Sequence, residues 1–231
     1  MKRTAFLIFI ILLFNVTLSA QKEELITVKA GTKVLDYFPV SERYMYSEFI
    51  PGRVFWKNGN KSDIDLNYNY LAGEMEFIQV RDTLSIINKK DIKYVVITRD
   101  TFYFDKGYIK QLSSGTLKVG LKQFFELKEI QNKDTYGIAS SGSATNSYGS
   151  LPVDGNFYKL TANKDMVFQR KLEYYFTIPE SGFLLLNRKN ILQIFSKNEN
   201  KIKSYLKTNK VKFDSEDDIL RLTDFLRTLL I

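Results

Sequence analysis

The sequence predicts an α+β fold that is mainly β: an antiparallel meander, sandwich or partly open barrel, followed by a small C-terminal helical region. Three observations carry that prediction. Between Arg53 and Glu129 short β-branched and aromatic runs alternate with turn signals every eight to twelve residues. No helical stretch of a dozen residues separates those runs, so parallel crossovers have nothing to be made from. Only the last forty-five or so residues show apolar stripes with helical period.

The runs follow in order. "RVFW" alternates and ends at "KNGN", residues 57 to 60, an Asn-Gly turn of hairpin type. "SDIDLNYNYL", Ala72-Gly73 and "EMEFIQV" form the next pair, then Arg81-Asp82 and "TLSII". "IKYVVIT", "TFYF", "YIKQL" and "TLKVGLKQFFELKEI" continue the series, divided by Arg99-Asp100, Asp105-Lys106-Gly107 and Ser113-Ser114-Gly115. "MVFQRKLEYYFTI" reads as one or two further strands, and "NRKNILQIF" and "NENKIKSYLKTN" as short amphipathic helices. In the last helix Ser215 and Asp218 make a capping box, and Ile219, Leu222, Leu226 and Leu229 line one face.

The N-terminus has its own grammar. Lys2 and Arg3 precede an apolar stretch from Ala5 to Val16, and "TLSAQ" supplies small residues for cleavage between Ala20 and Gln21. About twelve apolar residues fall short of the roughly 20 that span a bilayer, so a removed secretory signal is expected. The expected organisation is a signal peptide at 1–20, an antiparallel β domain at 21–136, a Gly/Ser-rich linker or loop at 137–150, and a small mixed region at 151–231. No cysteine follows the cleavage region, which argues against a lipid anchor, and no later apolar run would cross a membrane. The expected destination is the periplasm or the outside of the cell.

Composition narrows the chemistry. The chain holds no histidine and no cysteine, which removes Ser-His-Asp and Cys-His nucleophiles and the usual zinc, copper and iron ligand sets. No disulfide is available to an exported chain of this length, so burial and hydrogen bonding must hold it together. No cofactor and no metal are expected. Cleavage at Ala20 lowers the formal net charge from +8 to +6, a modest excess of scattered lysine. An envelope protein or glycan is the expected partner class; nucleic acid is not, because export separates the protein from the genome.

"KSDIDLNYNYLAGE", residues 61 to 74, tests the reading most sharply. Asp63, Asp65, Asn67 and Glu74 occupy positions one, three, five and twelve of an EF-hand loop, yet position six, where glycine is needed, is Tyr68. Alternation of Asp63, Asp65, Asn67 and Asn69 with Ile64, Leu66, Tyr68 and Tyr70 fits a strand instead. If Ala72-Gly73 closes a hairpin, Asn67 and Asn69 face Glu74 and Glu76 across it. That polar face is the candidate ligand-binding site, able to take sugar hydroxyls or a cation, or else the ordinary wet side of a half-buried sheet.

Other motifs are weaker. Glu74 and Glu76 are spaced as neighbours on one strand, whereas a glycosidase places its two acids across a bound sugar. Ser204 and Lys207 match a Ser-x-x-Lys element, without the Ser-Asp-Asn and Lys-Thr-Gly elements that accompany it. No catalytic residue is assigned. Trp56 reads as a packing residue.

The stretches "LNYN", "GEMEFI" and "DTLSI", the segment "YGIASSGSATNSY" and the C-terminal "KIKSYLKTNKVKFDSEDDILRL" together resemble a group of exported, uncharacterised β-rich proteins of Gram-negative bacteria. The resemblance covers most of the mature chain and implies an exported β-rich fold; it supplies no catalytic residues. The expected function is that of an exported, non-catalytic cell-envelope protein acting by binding or interaction. The alternative is a carboxylate-based hydrolase of envelope or extracellular polysaccharide.

Overall fold

A computed structural model describes residues 25–133, 139–140, 161–178 and 182–230. The predicted signal peptide lies outside them, as does most of the predicted 137–150 linker.

Twelve strands form one antiparallel sheet with the C-terminal helices on it. They are β1 (Leu25–Val28), β2 (Ile50–Trp56), β3 (Lys61–Asn69), β4 (Glu74–Gln79), β5 (Asp82–Ser85) and β6 (Ile92–Ile97). Then come β7 (Asp100–Phe104), β8 (Tyr108–Gln111), β9 (Lys118–Lys133), β10 (Ala139–Ser140), β11 (Asp165–Ile178) and β12 (Gly182–Leu185). The order across the sheet is β1-β11-β9-β8-β7-β6-β2-β3-β4-β5, with β10 on β9 and β12 on β11. Short helices α1 (Val34–Tyr37) and α2 (Val40–Arg43) follow β1, and α3 (Arg188–Ile194), α4 (Glu199–Thr208) and α5 (Glu216–Thr228) end the chain.

The local chemistry is as the sequence indicates. Gly59 adopts φ +91° in the β2–β3 turn, where Asn58 Oδ1 accepts from the Asn60 amide. Residues 61 to 69 are a strand, paired to β2 on one side and β4 on the other. Ser215 accepts from the Asp218 amide at the start of α5, but the reciprocal half of the capping box is not made: Asp218 Oδ2 accepts from the Lys212 amide, and the Ser215 amide donates to the Lys212 carbonyl. Two parts differ from expectation. Ala139 and Ser140, read as linker, pair with Lys133 and Asn132 and so extend the sheet. And "MVFQRKLEYYFTI" is one long strand, whose partner β9 lies in the region taken as the first domain.

That β9–β11 pair explains the presence of two cores on one sheet face. Near one end, Phe125, Leu127, Val167 and Phe168 are buried; Phe125 and Phe168 pack on Phe38, which follows α1, at 4.9 and 5.5 Å between ring centroids. Near the other, Val119, Tyr174 and Phe176 pack with Ile191, Ile202, Ile219, Leu222 and Leu226 of the C-terminal helices. Complete burial of each such side chain stabilises the fold by about 1.5–3 kcal/mol.

The sheet also curls. Beyond β8, strand β9 runs on until the Phe125 amide donates to the Tyr70 carbonyl, 3.0 Å away, just past the end of β3. The Tyr68 hydroxyl donates to the Gln123 carbonyl, and the Arg170 guanidinium lies over Tyr70 and Phe125. The inner face, with Val54, Leu66, Tyr68, Val95, Ile97, Phe102 and Tyr108, is thereby enclosed. The opposite face of β2, β6, β7 and the first half of β3 is left outward.

Candidate functional site

The β3–β4 hairpin brings the four predicted residues together. Asn67 stands opposite Glu76 and Asn69 opposite Glu74. Their surroundings correct the expectation of a wet or open face: Asn67 and Asn69 are each 1% exposed, Glu74 5% and Glu76 2%. Residues 43 to 49 fold over them. The Tyr70 amide donates to the Arg43 carbonyl and the Met45 amide to the Tyr68 carbonyl, so this segment pairs with the end of β3. The sequence pattern placed these side chains on one face; it carried no sign of what covers that face.

Each polar group then has protein work. Asn67 Oδ1 accepts from the Tyr46 amide, and its Nδ2 donates to the carbonyls of Tyr46 and Glu48. Asn69 Oδ1 accepts from the Leu71 and Ala72 amides, and its Nδ2 reaches both oxygens of Glu76. Glu76 also accepts from the Tyr44 hydroxyl at 2.7 Å. Glu74 pairs with Lys89 through one oxygen, while the other is buried without a hydrogen bond. Burial raises the Glu74 carboxyl above the usual range; Lys89 opposes that and Glu76 reinforces it. The hydroxyls of Tyr68 and Tyr108 are raised too, by burial first and then by the charge of Glu74.

The larger hollows open elsewhere. One, of about 400 Å³, is lined by Tyr103, Gln111, Thr116, Lys118, Thr177 and Phe183. A wider one, about 770 Å³, is bordered by Arg53, Phe55, Asp63, Asp65, Ile78 and Thr98. Neither is lined by Glu74 or Glu76.

Between these hollows runs a row of half-buried rings on the outward face. Lys61 is opposite Phe55, and Phe55 is opposite Tyr94 in the neighbouring strand. The Phe55 and Tyr94 rings stack at 4.4 Å, Tyr94 meets Tyr103 at 6.3 Å, and Tyr103 meets Phe183 at 5.5 Å. Lys61 Nζ lies over Phe55 and Lys118 Nζ over Tyr103. Gly120 lies beside the last ring: a Cβ there would crowd the buried Ile109 side chain and stand at ordinary contact distance, 3.7 Å, from the Phe183 ring. Sequence reasoning missed this row by treating strand aromatics as core. The signal was present in the phase, since Phe55, Tyr94 and Tyr103 each sit one residue out of step with buried Val54, Val95 and Phe102.

A third feature lies at the sheet margin. β5 ends the strand order, and no described strand covers its outer edge. Around it Ile78, Val80, Leu84 and Ile87 are exposed, Val80 by 93% and Ile87 by 85%. Val80 also takes φ +60° in the two-residue turn between Gln79 and Asp82, a conformation a β-branched residue adopts at a cost. Among the described residues no helix is long and apolar enough to cross a membrane.

Comparison with protein-family models, with curated proteins and with solved structures gave no significant match.

Proposed function

We propose that this chain is an exported, non-catalytic protein of the cell envelope that acts by binding a partner protein along β5. The observation that supports this reading is the uncovered β5 edge flanked by Ile78, Val80, Leu84 and Ile87. An open edge offers a row of unpaired amides and carbonyls, which a partner's extended segment satisfies by adding a strand. Soluble proteins ordinarily blunt such edges with short strands, charges, proline or bulges; β5, Asp-Thr-Leu-Ser, is short and begins with an acid but carries no lysine, proline or bulge. The strained, exposed Val80 fits the same purpose, because backbone strain is retained where function over-determines it.

The test uses the full chain with a C-terminal tag. Cell fractionation should find it in the envelope or outside the cell, beginning at Gln21. Crosslinking there should capture one partner with the wild type and lose it with Leu84→Lys or Thr83→Pro. Retention in the cytoplasm, or capture indifferent to both variants, would count against the proposal.

One observation favours a carboxylate-based hydrolase as the second reading. Glu74 is buried, carries an oxygen without a hydrogen bond, and is held above the usual carboxylate range, as a general acid requires. Turnover of an envelope polysaccharide that disappears in Glu74→Gln would establish it.

A further inference from the structure

We propose that the outward sheet face binds an extended anionic oligosaccharide, with Phe55, Tyr94, Tyr103 and Phe183 as its stacking surface and Lys61 and Lys118 as its charge contacts. This goes beyond the β5 edge and does not depend on it. Tyr103 is on β7, five strand spacings from β5, or about 24 Å.

The rings supply the first argument. Phe55 and Tyr94 stack on each other, whereas Tyr103 and Phe183 are tilted at 46° and line the hollow of about 400 Å³. Such half-buried rings lose little conformational freedom when a ligand settles on them. A pyranose ring has a face of weakly positive C–H groups that packs on such a surface, while its hydroxyls point outward to polar neighbours. Those neighbours are present: Gln111, Thr116 and Thr177 line the hollow beneath Tyr103 and Phe183. Its volume of about 400 Å³ falls within the ~300–1,000 Å³ range of small-ligand sites. The row crosses β2, β6 and β7 in steps of 4.4 and 6.3 Å between ring centroids. A chain laid along it joins both hollows.

Charge supplies the second. Lys61 and Lys118 stand at the two ends of the row, each over a ring, and neither is in an ion pair among the described residues. Of the other charges nearby, Arg53 holds Asp63, Lys122 lies 3.9 Å from Glu173, and Asp65 borders the wider hollow. Two ammonium groups bracketing an aromatic row suit a polymer with carboxylates spaced along it. A nucleic acid, which also carries one charge per unit, is distinguished by the oligo-dT titration.

The experiment is calorimetric titration of the purified chain with oligogalacturonate, neutral cello-oligosaccharide and oligo-dT, each in turn. Saturable binding of oligogalacturonate is expected, tighter than that of the other two. Tyr103→Ala and Phe55→Ala should weaken it roughly fivefold to tenfold. Tyr103→Leu, which keeps bulk and protects the fold, should lose the same stacking. Lys118→Gln, on an exposed side chain, should weaken oligogalacturonate roughly fivefold and leave cello-oligosaccharide unchanged. Circular dichroism confirms that each variant is folded. Absence of binding by the folded wild type would overturn the proposal, as would indifference to all three ring variants. Equal affinity for the neutral sugar, or tighter binding of oligo-dT, would overturn it too.

Discussion

Asn67 and Tyr46 bond to each other twice: the Asn67 side chain accepts from the Tyr46 amide at 3.1 Å and donates to the Tyr46 carbonyl at 2.8 Å. A third bond, to the Glu48 carbonyl, completes the clasp. Tyr44 pairs with Asn69 and Ile50 with Leu66, so six steps of chain run beside three, and the surplus bulges outward. Asn67 satisfies the backbone of that bulge in place of a strand neighbour.

Asn67→Ala should therefore destabilise the protein by about 2 kcal/mol, because it leaves one amide and two carbonyls of a partly buried segment without their partner. Asn67→Asp should not rescue, since it keeps the acceptor but sets a carboxylate against two carbonyls. Urea unfolding midpoints decide both, and a midpoint unchanged in Asn67→Ala would refute the clasp.

The Glu74–Lys89 pair predicts a pH signature. An acid whose folded pKa is raised binds more protons folded than unfolded. Its contribution is complete below its ordinary value of 4.5 and is lost as pH rises through the folded value. Lys89→Gln removes the cation that limits this loss, so the variant should fall about 3 kcal/mol below wild type at pH 7. The deficit should shrink towards pH 4, as Glu74 takes up its proton. Glu74→Gln in the Lys89→Gln background should restore most of the stability at pH 7. Thermal melts across pH 4 to 8 supply the check; a deficit independent of pH would contradict it.

Gly120 is irreplaceable on steric grounds. An added Cβ would stand 2.4 Å from Ile109, which is wholly buried, and 3.3 Å from the Lys110 carbonyl. Gly120→Ala should cost about 2 kcal/mol by overpacking. Near-ultraviolet circular dichroism should also change, because Ile109, the cross-strand partner of Tyr103, must shift. Wild-type stability in this variant would disprove the crowding.

Val80 should behave in the opposite way. Val80→Gly removes a left-handed β-branched residue and should raise stability by roughly 0.5–1 kcal/mol, the relief of strain less the extra chain entropy of glycine. The same change should weaken partner capture along β5. A variant that is less stable than wild type would show that the turn is not strained.

The strands were legible because their signals are local. The Asn-Gly turn at 58–59, the alternation over 61–69 and the Ser215 cap each involve neighbours within a few residues. Short pieces without a strong period escaped notice: β1, α1, α2 and β12 have four residues each and are held by what they pack on. The pairing of Asn67 with Glu76 and Asn69 with Glu74 was also readable, since a hairpin's register follows from its turn.

By itself, then, the order of residues determined the period-two strands, the hairpin pairing of the four polar groups and the helical stripe that ends the chain. Tertiary structure alone decided which of the sheet's two faces is enclosed. The curl that brings Phe125 to Tyr70 encloses the face of Leu66 and Tyr68, and on the opposite face residues 43–49 cover Asn67 and Glu76 while the Phe55 and Tyr94 rings stay outward. Alternation tells a chain that it has two sides. Which side meets water depends on distant segments, and no run of neighbours encodes where those will lie.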